Sequence, residues 1–113
     1  MAVGFNHIAA DFLGVPAAQL RDRALLTGLL IAAASAAGFN PVGAPVTRTH
    51  ADEGVGALLL LDYSYMALHS FPDRGLLLLD VLAPATHDAR KALDVFTRRL
   101  TAREVRSDVR PRG

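Results

Sequence analysis

The segment Asp62-Tyr63-Ser64-Tyr65-Met66-Ala67-Leu68-His69-Ser70-Phe71-Pro72-Asp73 follows a run of four leucines and sets a serine five residues ahead of a histidine in an otherwise apolar stretch. A hydroxyl nucleophile and a group able to carry a proton are the minimum for acyl chemistry at a carbonyl. Along a strand, side chains alternate between faces, so this odd spacing puts Ser64 and His69 on opposite sides unless a turn or bulge re-aims one of them. The spacing excludes a simple pair on one strand face. It suits a serine at a chain reversal, with the histidine folding back from the following strand. Asp73 either starts a turn with Arg74 and Gly75 or contacts a substrate. Asp80 lies within leucines and needs a partner, because a buried unpaired carboxylate is costly. His7, His50 and His87 fall on separate elements without short ligand spacing, and the chain has no cysteine, so no metal site is expected.

The elements that must position these groups are legible in the periodicities. Residues 5 to 13 alternate loosely around Phe5, Ile8, Phe12 and Leu13 and read as an opening strand ended by Gly14. Pro16 suits the first turn of a helix, and Leu25, Leu26, Leu29, Leu30, Ala33 and Ala34 recur at helical spacing until Gly38, which predicts one helix over about 16 to 37. Residues 40 to 45 are turn-like, 46 to 50 a short strand and 51 to 54 a loop. Two leucine-rich strands follow, about 55 to 62 and 76 to 82. A second helix is expected after Thr86 as N-cap, with Ala89, Leu93, Phe96 and Leu100 on one face. A short strand at 102 to 107 and a frayed polar tail from 106 to 113 complete the expectation.

Continuous leucine means that both faces of those strands are covered, yet two helices cover only one face of a sheet. The expectation is an α+β fold, an antiparallel sheet with two helices on one face, dimerising into an α/β/β/α sandwich. The 113 residues suit a single domain over 1–113, long enough to bury about two thirds of the surface of the unfolded chain. Net charge is +1 with signs interspersed, which argues against nucleic acid or an anionic membrane as partner, and the arginines from Arg98 to Arg112 read as a solvated face. The leucine runs are too short to span a bilayer, and the lack of cysteine is compatible with a reducing cytosol, so a cytoplasmic protein is expected.

With these residues in view, the chain resembles the bacterial S-adenosylmethionine decarboxylase proenzymes. The family pattern of a cleaved serine, a histidine followed by a hydroxyl residue, an aromatic, proline and an acid, then Gly-x-x-x-x-Asp, is matched by Ser64, His69, Ser70, Phe71, Pro72, Asp73, Gly75 and Asp80. His7-Ile8-Ala9-Ala10-Asp11-Phe12 is similar to the family's opening strand and Gly54-Val55-Gly56 to the entry of its cleavage strand, so the resemblance spans roughly residues 4 to 100. It implies breakage of the Tyr63–Ser64 bond through an ester and conversion of Ser64 into a pyruvoyl group, the electron sink for decarboxylation of an amine-bearing substrate. By the same resemblance Ser64, His69 and Tyr65 are catalytic candidates, His50, Asp73 and Phe71 substrate-binding candidates, and the partners a small-molecule substrate and a second copy.

Four positions depart from the family pattern. Pro84 stands where the family has its cysteine proton donor, Gly56 where a serine assists processing, Tyr63 at the acid before the cleaved serine, and Tyr65 at the histidine after it. The resemblance implies S-adenosylmethionine as substrate or, given the missing cysteine and His50 near the position where the family stacks an aromatic on adenine, more readily a basic amino acid such as L-ornithine or L-arginine, within polyamine biosynthesis. Two alternatives stay open: an unprocessed member whose dimer cleft serves another small-molecule transformation, and a non-catalytic partner of an active homologue.

Overall fold

In the computed structural model, which describes residues 4–113, the alternating segments form one sheet. Its strands are β1 (Phe5–Leu13), β2 (Val46–Thr49), β3 (Val55–Leu61), β4 (Ser64–Phe71), β5 (Leu76–Pro84) and β6 (Glu104–Arg112). The order is β2-β3-β4-β5-β1-β6, and all neighbours are antiparallel. The helices α1 (Ala17–Leu20), α2 (Arg23–Ala36) and α3 (Ala89–Arg99) carry the chain between strands and pack on one side.

The two-residue period decides which side chains meet them. Ile8, Ala10 and Phe12 of β1, Met66 and Leu68 of β4, and Leu77, Leu79 and Val81 of β5 are buried beneath Leu26, Leu29 and Leu30 of α2 and Ala92 and Phe96 of α3. Phe12 and Phe96 both lie fully inside, with ring centroids 6.2 Å apart. On the opposite face Leu58, Leu60 and Leu78 remain 43%, 58% and 38% exposed. This is the expected antiparallel sheet with helices on one face; the leucine strands have one covered and one bare side in the single chain.

Three details differ from the expectations. The helix over 16 to 37 is broken at Arg21-Asp22: Asp22 takes a non-helical ψ of 89° and its carboxylate accepts from Leu25 N at 3.0 Å, capping α2 afresh. The end of α1 is fastened elsewhere, since the Ser70 hydroxyl of β4 donates to the Leu20 carbonyl at 2.7 Å. The cap of α3 is Asp88, not Thr86; Asp88 accepts from Arg90 N at 3.1 Å. The expected short strand and frayed tail form instead the full-length edge strand β6, paired with β1 from Phe5↔Arg112 to Leu13↔Glu104. β1 would otherwise expose a row of unpaired backbone groups, and Val105 and Val109 alternate onto the core while the charges face out. Pro111 is tolerated because β6 is an edge. The hydrogen bond from Arg106 to Glu104 at 2.7 Å, with their charge attraction, holds the Glu104 carboxyl below its usual range. Among the described residues no helix is long and apolar enough to cross a membrane.

Phe96→Ala empties the contact between α3 and β1. Urea unfolding should show a loss of about 3–5 kcal/mol; a loss below about 1 kcal/mol would mean that α3 is not held by this ring.

Candidate active site

Ser64 stands at the chain reversal that its sequence context suggested. Leu61 and Ser64 are paired across β3 and β4, leaving Asp62-Tyr63 as a two-residue loop. Tyr63 has φ 61°, a left-handed backbone that favours glycine or asparagine, and the residue is 88% exposed. For an L-aromatic residue this conformation costs about 1–2 kcal/mol. The tip is braced from the segment after α2: Asp62 N donates to the Asn40 carbonyl at 3.0 Å and Val42 N to the Leu60 carbonyl at 3.1 Å. The Ser64 side chain turns toward the helix side and is buried, its hydroxyl 3.5 Å from the Asp62 carbonyl. It lines a cavity of about 180 Å3 whose other walls include Asn40, Tyr63, Pro84 and His87. His87 is held there by its backbone N donating to the Pro84 carbonyl at 3.0 Å and by a tilted contact of its ring with Phe39, centroids 5.7 Å apart.

A second group of side chains gathers on the open face. His69 lies opposite Gly56 in the β3–β4 register, and its Nδ1 is 3.2 Å from Nε2 of His50, the rings stacked at 5.3 Å and 19°. Gly56 makes this possible: a Cβ there would sit 2.7 Å from His69 Cε1 and 3.2 Å from His50 Nε2. Phe71 follows two residues on, with its ring 6.4 Å from His69 and the Arg74 guanidinium 5.8 Å above it. His50, Asp52, His69 and Phe71 line a solvent-open groove of about 590 Å3. Asp52 is oriented by accepting from Gly54 N at 3.0 Å.

Of the residues singled out by sequence, His50, His69 and Phe71 are therefore brought together. Asp73 lies outside the groove on the 3-10 turn Pro72–Arg74, with Oδ1 4.0 Å from Arg21. Tyr65 is half-buried on the open face between Leu60 and Leu82. Ser64 and His69 are not brought together. Both belong to β4, on opposite faces and about 16 Å apart along the strand at ~3.3 Å per residue. Asp80 is not buried as its leucine context suggested: its side chain is 49% exposed to water, so it does not depend on a partner, and His7 Nε2 lies 3.5 Å from its Oδ2. Sequence reasoning weighed His87 only as a metal ligand and passed over Asn40 and Asp52. The one available signal for His87 was its place three residues after Pro84. Among the described residues no three histidine or acidic side chains converge as a metal site would require.

An antiparallel six-stranded sheet with helices on one side and a serine at its central hairpin defines the class of protein, and comparison with known proteins gives the family. The description "S-adenosylmethionine decarboxylase" belongs to the family model that matches residues 6–113, and the chain is a member of that family. It is 32% identical over 75 residues, 66% of its length, to the S-adenosylmethionine decarboxylase proenzyme of Brevibacillus brevis; the match spans 56% of that relative. The crystal structure of the adenosylmethionine decarboxylase from Aquifex aeolicus superposes with a TM-score of 0.89 at 24% identity, covering 100% of this chain and 93% of the other, a likeness of fold.

Gly56→Ala should drive the two imidazoles apart without unfolding the sheet. Nuclear Overhauser contacts between the His50 and His69 ring protons should vanish while the circular dichroism spectrum is retained; persistence of those contacts would show that the site yields elsewhere.

Proposed function

We propose that the chain is a self-processing, pyruvoyl-dependent decarboxylase that acts as a cytoplasmic homodimer in polyamine biosynthesis, with a basic amino acid such as L-ornithine or L-arginine as substrate. The observation that carries this reading is the Ser64 hydroxyl, buried beside a small cavity and directly after a tyrosine in a left-handed conformation. Backbone strain at the bond to be broken raises the starting state toward a rearranged one. The surroundings of residue 64 fit a compact carbonyl group, since Asn40, Pro84 and His87 leave a small open space beside it, with Asp62 as its one acidic wall. Once formed, the pyruvoyl group supplies the electron sink that lets carbon dioxide leave an amino acid.

The chain's own residues supply binding and proton handling. Asp52 at the groove favours a cationic substrate side chain, and Asp73, on the turn outside the groove, adds a contact only to a substrate that approaches from that side. Across the 3.2 Å contact one of His50 and His69 donates and the other accepts, so the pair can hold a proton and pass it on. Tyr65, the neighbour of residue 64, then takes the place of the absent thiol in returning a proton to substrate carbon. The preference for a smaller amino acid rests on the cavity at Ser64, whose 180 Å3 lies below the roughly 300–1,000 Å3 of sites for larger ligands. A second copy, packed on Leu58, Leu60 and Leu78, covers the bare face and closes the groove. One observation favours a different reading, an unprocessed chain whose cleft serves other chemistry: Ser64 and His69 lie on opposite faces of one strand.

Carbon dioxide release from L-ornithine, L-arginine and S-adenosylmethionine, assayed in parallel, should favour a basic amino acid; preferred turnover of S-adenosylmethionine contradicts the substrate assignment. Ser64→Ala should abolish both this release and the borohydride-dependent capture of a substrate amine. His69→Ala should lower the release by about 100-fold or more while leaving the fold intact. Activity surviving in Ser64→Ala would remove the hydroxyl from the account. Light scattering should report twice the 12.0 kDa chain mass, and a stable monomer would leave the bare face unexplained.

A further inference from the structure

We propose that His87 is the acid–base catalyst for breakage of the Tyr63–Ser64 bond, a role that rests on the self-processing reading above. Five observations converge on it. His87 and Ser64 line the same cavity of about 180 Å3, whereas His69 lies on the other face of β4. Pro84, the third wall, has no proton to give, and the chain has no thiol anywhere. His87 is anchored rather than free: its backbone N is bonded to the Pro84 carbonyl, its ring lies against Phe39, and Nδ1 is 3.3 Å from the Thr86 hydroxyl. Among the described residues no hydrogen bond takes Nε2, which leaves that nitrogen for proton transfer. The remaining titratable walls are Asp62 and Tyr63, and only the imidazole has one ring nitrogen to accept a proton and another to donate one.

The step balances without any other reactant. Nε2 takes the proton of the Ser64 hydroxyl as Oγ bonds to the Tyr63 carbonyl carbon. The carbon–nitrogen bond between residues 63 and 64 then breaks, and the same proton passes to the departing Ser64 nitrogen. The product of this step is an ester isomer of the chain, with no atom gained or lost. Loss of the Ser64 Cα proton then expels the residue-63 carboxylate, which separates fragments 1–63 and 64–113, and water releases the nitrogen of the resulting dehydroalanine as ammonia. The tilt of the ring on Phe39 and the turn from Pro84 position the imidazole for both transfers.

The test follows the full-length chain by intact mass as it converts to fragments 1–63 and 64–113, in wild type, His87→Gln and His87→Ala. Both variants should keep the wild-type circular dichroism spectrum and cleave about 100-fold or more slowly. Added imidazole should restore cleavage in His87→Ala, where the vacated space adjoins the cavity. Cleavage of both variants at the wild-type rate overturns the role of His87 alone. Slowing that imidazole leaves untouched also overturns it and assigns the ring to packing on Phe39. A wild-type chain that never cleaves overturns the processing reading itself, and this role with it.

Discussion

The side-chain alternation of β4 is the constraint on which the rest of this structure depends. Ser64, Met66, Leu68 and Ser70 face the helices, and Tyr65, Ala67 and His69 face the open side. A slip of one residue in its pairing would exchange these sets and bury His69 among leucines. The register is held by more than apolar burial. The fully buried Ser70 hydroxyl accepts from Val55 N at 2.8 Å and donates to the Leu20 carbonyl at 2.7 Å, tying β3, β4 and α1 at one point. A buried hydroxyl with both roles filled tolerates no neighbouring register, because the slipped state leaves polar groups without partners.

Two chemically distinct places follow from that alternation. At the start of β4 a hydroxyl meets a strained peptide and a small cavity under the helix side. Toward its end an imidazole pair lies in an open groove, in space that Gly56 leaves. The strain at Tyr63 is small, about 1–2 kcal/mol, and the bracing hydrogen bonds from residues 40–42 are enough to maintain it. Any side chain at position 56 would collide with the imidazole pair, so Gly56 and the stacking of His50 on His69 belong together. Pro84 has no proton to give, and the proposed proton carrier, His87, lines the same cavity.

Much of this was legible in the sequence, and the reasons for success and failure are physical. The leucine strands, the opening strand and Ser64 at a reversal were readable because period-2 burial and turn chemistry are local signals. The break at Asp22 was masked by a helical pattern that continues across it, and only the cap geometry reveals the new start. β6 was misread because its charges belong to one face of an edge strand, while its stability comes from β1, about a hundred residues earlier in the chain. No local pattern reports such a pairing. His69 was correctly excluded from sharing a strand face with Ser64. The meeting of His87 with Ser64 depends on how α2 and the lead-in to α3 converge, which spacing along the chain does not encode.

The central claim is that Ser64 is converted from a residue within the chain into the head group of its own fragment. The most direct measurement is the intact mass of purified wild-type protein after prolonged incubation. The account requires two fragments, 1–63 and 64–113, the second lighter by one ammonia than a fragment headed by serine. A chain that remains at its full mass, or a second fragment that retains its serine amine, would contradict it.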